Sequence, residues 1–261
     1  MSQATDPVRL EELGLHAWPS LEEARYDGWI LRFADGHTKR ANSVNPLHAS
    51  TIDMQQKIDV CERAYAERSL PTIFRLTAFS EPASLDRALE QRGYAMIDRT
   101  LVMTKDVVAP PQKAQTDEIR CVDVSTWLDA FEFFDLLSPQ HMRTRRRMIG
   151  RISSDPIFVV AGPSDHPTGI NLGVREGEAV GLFALFVADA SRRQGLGRAL
   201  AEETLALAAA RGATLAYLQV EEANRPARAL YEKLGFIDAY PYWYRVRREE
   251  GAVESARVLA K

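Results

Sequence analysis

Phe186-Val187-Ala188-Asp189-Ala190-Ser191-Arg192-Arg193-Gln194-Gly195-Leu196-Gly197-Arg198-Ala199 is the stretch whose reading decides the fold. It opens at the end of an uncharged apolar run, 181–187, which has the pattern of a strand covered on both faces. Beyond the loop, Leu196, Ala199, Leu200, Leu207 and Ala210 recur at the helical period. That pattern stops at Arg211-Gly212, a basic last turn followed by glycine. A strand therefore turns into a helix through an Arg-x-x-Gly-x-Gly loop. The first amides of a helix have no intrahelical acceptor and lie at the positive end of its dipole. Glycine brings the backbone close to an anion because no Cβ intervenes. Arginines at both ends add charge and donors, so the loop suits a pyrophosphate. A Gly-x-Gly alone says little, since many nucleotide-binding loops contain one.

Outward from this stretch the elements alternate. Downstream, 215–220 reads as a strand, 226–234 as a helix stopped by Gly235, and 240–247 as an aromatic-rich strand. Upstream, 119–122 reads as a short strand, 126–137 as an apolar-patterned helix and 143–152 as a basic helical stretch. Residues 156–160 and 169–174 read as strands meeting near a turn at 162–167. This order implies an α/β protein built on a mixed sheet.

The loop resembles the cofactor loop of the GNAT superfamily of acyl-CoA-dependent N-acetyltransferases. Farther along, Asn224-Arg225-Pro226-Ala227-Arg228-Ala229-Leu230-Tyr231-Glu232-Lys233-Leu234-Gly235-Phe236 is similar to that superfamily's second motif, Asn-x-x-Ala-x-x-Leu-Tyr-x-x-x-Gly-Phe. The paired motifs cover about 50 residues, with the expected strand between them. The resemblance implies a GNAT fold whose two central strands splay apart, one ending near Val187 and one near Val220. It implies acetyl-CoA as co-substrate, its pantetheine arm on the backbone of Phe186 and Val187. The pyrophosphate is then expected on the loop made by Arg192, Arg193, Gln194, Gly195, Leu196, Gly197 and Arg198, with Asn224 touching the arm. Gly197→Glu is expected to abolish CoA binding and leave the fold intact.

The implied reaction is attack of a neutral amine on the acetyl carbonyl, with one proton leaving the amine and one reaching the departing thiolate. Tyr231 is the candidate acid; as a packed helix tyrosine it would have only a structural role. Strand 181–187 has no carboxylate, where some relatives carry a glutamate. Glu221 is therefore the candidate base, together with Glu222, acting directly or through water; both also read as solvated surface residues. Asn224 also reads as a helix cap. The acceptor is a small-molecule or peptide amine, and aminoglycoside, amino acid, polyamine, peptide N-terminus and protein lysine all remain open. A CoA-responsive binding protein without turnover is the alternative.

Composition bounds the rest. The 261 residues carry 33 basic and 36 acidic side chains, a net charge of -3, which argues against a nucleic-acid partner. No apolar run is long enough for a membrane span, and the N-terminus is not a secretory signal, so a cytoplasmic protein is expected. Two cysteines and five histidines show no ligand spacing, so no metal is expected. Prolines and small residues make 108–117 a linker between 1–107 and a catalytic domain at 118–250, leaving 251–261 as a tail. Asn42–Thr77 aligns without gaps on Leu185–Val220, placing Ile52 and Met54 opposite Gly195 and Gly197. The first half thus reads as a degenerate GNAT-like copy, making a tandem. Within it, Asp35-Gly36 reads as a hairpin turn. Lys39-Arg40-Ala41-Asn42-Ser43 reads as facing the acceptor pocket or as an exposed strand end. Arg143, Arg145, Arg146 and Arg147 read as a solvated helix face or as a recruiter of an acidic acceptor.

Overall fold

The computed structural model describes residues 6–108 and 119–247. The expected linker, past its first residue, and the expected tail lie outside them. The chain divides into two compact units, each assembled from two stretches: Met1–Ala17 with Leu101–Ala239, and Trp18–Thr100 with Tyr240–Lys261. These boundaries fall between residues 17 and 18, 100 and 101, and 239 and 240.

The first unit holds α1 (Pro7–Ala17), β6 (Ile119–Val122), α4 (Val124–Phe133), α5 (Pro139–Ile149), β7 (Asp155–Ala161), β8 (Gly169–Glu176), β9 (Ala179–Val187), α6 (Leu196–Ala210), β10 (Leu215–Glu221) and α7 (Arg225–Lys233). The second holds β1 (Glu22–Tyr26), β2 (Trp29–Phe33), β3 (Val44–Pro46), α2 (Met54–Ala66), β4 (Ile73–Thr77) and α3 (Leu85–Gln91). Two strands, β5 (Tyr94–Asp106) and β11 (Ile237–Arg247), start in one unit and end in the other. The strand order is β5-β10-β9-β8-β7-β6 in the first unit and β1-β2-β3-β4-β11 in the second.

The two halves repeat one motif. Antiparallel strands lead into β3-α2-β4-α3-β5 in one and β9-α6-β10-α7-β11 in the other, with β3 parallel to β4 and β9 parallel to β10. The last strand of each repeat ends in the sheet of the other, so the tandem has exchanged its closing strands.

Local readings mostly hold, with physical reasons where they shift. Helix α4 starts early because the Asp123 carboxylate accepts from the Thr126 amide, and it stops at Phe133 ahead of Asp135, whose φ is 48°. The buried face of α6 is Leu200, Ala201, Thr204, Leu205 and Ala208, rotated from the apolar stripe that includes Leu207 and Ala210. Thr204 enters the core because its hydroxyl donates to the Leu200 carbonyl and accepts from Asn171 Nδ2, both at 2.8 Å.

The two-residue hairpin is Asp27-Gly28, between paired Tyr26 and Trp29. Asp35-Gly36 only opens a longer connection, which the buried Asn42 amide organises. It accepts from the Ala34 and Gly36 amides and donates to the His37 and Thr38 carbonyls. Lys39 is buried beside it and pairs with Asp98 at 2.7 Å, so this run is not an exposed strand end. Among the described residues no helix is long and apolar enough to cross a membrane.

Candidate active site

Strands β9 and β10 pair only at Ala179–Leu182 against Leu215–Leu218. Past that point β9 continues to Val187 against β8, while β10 continues to Glu221 no longer paired with β9. The two strands part, and residues 183–187 and 219–221 line the wedge. One extra residue on β9 helps drive them apart. Ile170 pairs with Phe186 but Leu172 pairs with Phe183, and Ala184 sits at φ 50°, a bulge that bends the strand. Residues of β9 are buried up to Phe183 and half-buried from Ala184 onward, where a strand covered on both faces was expected.

The loop from the wedge to α6 places Gly195 at φ 85°, a left-handed conformation with open space where a Cβ would stand. Among the described residues no side chain caps α6, whereas Asp53, Asp123, Ser138 and Asn224 cap α2, α4, α5 and α7. Its first amides lie at the positive end of a 15-residue helix. The exposed Arg193 guanidinium has no partner among the described residues. Uncapped backbone donors and an exposed cation thus lie on one short loop, a donor set that suits a diphosphate.

Tyr231 on α7, like Val187, Leu196 and Leu230, packs against the core that includes Leu200, Leu218 and Phe236, its ring edge-on to Phe236 at 6.0 Å. Burial pushes its phenol up to about 12, and its hydroxyl has no hydrogen-bond partner among the described residues. It is therefore protonated at neutral pH and able to donate.

A family model described as probable histone acetyltransferase Rv0428c, C-terminal, matches residues 5–245. The chain belongs to that family, within the GNAT superfamily. Probable histone acetyltransferase Rv0428c of Mycobacterium tuberculosis is 31% identical over 229 residues, spanning 87% of this chain and 69% of that protein. The uncharacterized N-acetyltransferase YobR of Bacillus subtilis is 28% identical over 251 residues, 93% of this chain and 99% of that protein. Among solved structures, a GCN5-related N-acetyltransferase from Kribbella flavida superposes with a TM-score of 0.65 at 14% identity, covering 94% and 96% of the two chains. A tandem GNAT protein from the clavulanic acid pathway gives 0.58 at 15% identity, over 95% and 90%. The protein is an acetyltransferase-family member on a tandem GNAT fold.

Within this GNAT chain the other expected site residues are placed as follows. Arg192 folds back, donating to the Val187 carbonyl at 3.1 Å and pairing with Asp189 at 2.7 Å, so its charge is partly spent holding the wedge wall. Gln194 reaches the Ala190 carbonyl and Arg198 pairs with Glu202. Asn224 caps α7, its oxygen accepting from the Ala227 amide at 3.2 Å. Glu221 is exposed at the end of β10, on the rim of the wedge, and Glu222 is half-buried. A Cβ on Gly197 would lie 3.6 Å from both Leu230 and Val187. That is ordinary van der Waals contact, so the Cβ itself is accommodated.

The aromatic side of the wedge was not read from sequence. Phe186 lies 4.7 Å from Phe134, and Phe133 lies 5.3 Å from His166. The dense Phe131-Glu132-Phe133-Phe134 run was the available signal. The arginine run of α5 is largely consumed by packing: Arg145 is buried over the Phe131 ring and Arg146 pairs with Asp129 and Glu132. Among the described residues no group of three or more His, Cys, Asp or Glu is arranged to hold a metal.

Proposed function

We propose that this protein transfers the acetyl group of acetyl-CoA to a primary amine. The observation that carries this reading is the uncapped N-terminus of α6 beside a parted pair of parallel strands. Acetyl-CoA supplies the activated acetyl thioester. The amides from Arg193 to Arg198 and the Arg193 guanidinium hold its diphosphate, and the backbone of Phe186 and Val187 holds its arm. Tyr231 gives its proton to the departing sulfur as the C–S bond breaks. Glu221 removes the proton that the amine sheds on forming its new bond, directly or through one water. The names of the relatives support acyl transfer in general; the primary amine acceptor is our inference from the GNAT reading.

A binding protein without turnover is the second reading, favoured by the absence of a carboxylate on β9. Calorimetric titration with acetyl-CoA, CoA and ATP, followed by thiol release with a panel of amines, separates the two. Binding of both CoA species but not ATP, with amine-dependent thiol release, is expected. Arg193→Glu, at a side chain with no hydrogen bond or ion pair among the described residues, is expected to weaken both CoA species roughly tenfold or more, the loss of about one charge-assisted contact. Unchanged affinity in that variant would remove the cradle assignment.

A further inference from the structure

The first repeat contains the same strand–loop–helix connection as the acyl-donor cradle, and its amides are already taken. Between β3 and α2, Thr51 and Ile52 precede the cap Asp53 as Arg193 and Gln194 precede Gly195. That pairing is one residue off the ungapped alignment. The Asp27 carboxylate from the β1–β2 hairpin accepts from the Ile52 amide at 2.8 Å and the Thr51 amide at 2.9 Å. It also accepts from the Ser50 and Thr51 hydroxyls at 2.7 and 2.9 Å. Asp53 in turn accepts from the Gln55 and Gln56 amides. Among the described residues no side chain caps α6, and Asp189 is turned to Arg192.

Three further features make this a built arrangement. Lys57, fully buried, donates to the Asp27 carbonyl and lies 3.4 Å from its carboxylate. It also contacts the Ser50 hydroxyl at 2.5 Å and sits 4.1 Å above the Trp29 ring. Asp27 is held at φ 44°, and a Cβ on the neighbouring Gly28 would fall 2.4 Å from the Ala49 carbonyl oxygen. Only glycine therefore lets the hairpin press onto the loop. The donors on Asp27, the Ile52 amide first, hold its carboxyl well below the usual carboxylate range, so an anion is present there at neutral pH.

We propose that Asp27 stands in the first repeat where the donor's diphosphate stands in the second, so that the protein fills one of its two anion cradles itself and takes a single acyl-CoA per chain. This rests on the reading of Arg193–Arg198 as the diphosphate cradle. The consequence is that emptying the place of Asp27 creates an anion site in the first repeat.

The test is calorimetry and thermal melting of the full chain with inorganic pyrophosphate, comparing wild type with Asp27→Gly, a residue that accepts the positive φ. The expected result is an increase of one pyrophosphate per chain in the variant. A lowered melting temperature that pyrophosphate restores is expected alongside it, because Lys57 and the freed amides regain an anion. A folded variant with no additional pyrophosphate overturns the proposal. So does a variant that stays unfolded with pyrophosphate present, since an anion in the same place should rescue it. Two acetyl-CoA molecules per wild-type chain would overturn it as well. Failure of the second-repeat cradle reads differently: wild type then binds no pyrophosphate, while the gain of one on removing Asp27 is unaffected.

Discussion

Tyr231 is a phenol with an unengaged hydroxyl in an apolar setting, and those two facts fix what it does with a proton. Burial raises its folded pKa to about 12 from the ordinary value near 10. A raised pKa means the neutral form contributes stability in full below about pH 10, which is lost as pH rises through about 12. Across the physiological range the residue is an acid in waiting, never a base. Tyr231→Phe keeps the ring packing against Phe236 and is expected to lower kcat by roughly 10²–10⁴, with acetyl-CoA affinity nearly unchanged. Stopped-flow thiol release checks this; an unaltered kcat would leave the tyrosine a packing residue. In the same assay the wild-type kcat should show no loss from this phenol until pH approaches about 12. A limb near 10 would mean that the ring is solvated during turnover. At the residue scale the loop glycine Gly195 and the cap Asn224 were legible, because each residue type answers a local backbone geometry. The site was less legible at Arg192, because no linear pattern says that Asp189 will claim a cation three residues on.

Helix α6 shows what a linear pattern captures and what it loses at the level of elements. Its ends were readable, because glycine, a basic residue and a change of period are local signals. Its inner face was misjudged by about one residue's rotation, because hydrophobicity ranks Leu207 above Thr204. The structure buries Thr204 instead and satisfies its hydroxyl on both sides. Thr204→Val, close in volume, would strip Asn171 Nδ2 of its acceptor and is expected to cost roughly 1–3 kcal/mol. Denaturant unfolding measures that cost, and a neutral result would mean that Asn171 finds another acceptor. The same limit explains Asp35-Gly36: a turn dipeptide signals a reversal but not the length of the connection it opens. Asn42, which orders that connection, looks like any polar loop residue in the sequence.

Across the whole molecule, the repeat was legible as an order of elements with few shared residues, and the exchange of closing strands was not. Strands β5 and β11 have similar length and occupy equivalent places in their repeats, so nothing in either names the sheet it will join. In the second unit, Tyr242 to Val246 pair with Ile73 to Thr77 along β4. Arg245, almost fully buried, clamps Asp86 of α3 at 2.8 and 2.9 Å, and Trp243 donates to the same carboxylate at 2.7 Å. Arg245→Ala is expected to cost roughly 2 kcal/mol, and a chain ending at Ala239 should lose protection along β4. Hydrogen exchange resolved by residue reads both effects, and persistent protection of Ile73–Thr77 in the shortened chain would contradict the pairing. This pairing also orders events on the ribosome. Residues 73–77 leave the exit tunnel more than 160 positions before their neighbours at 242–246. The amino-terminal half must therefore wait with one sheet edge bare until residues 242–246 have been made, the reverse of the usual sequence in which the first-made domain is the first to be finished.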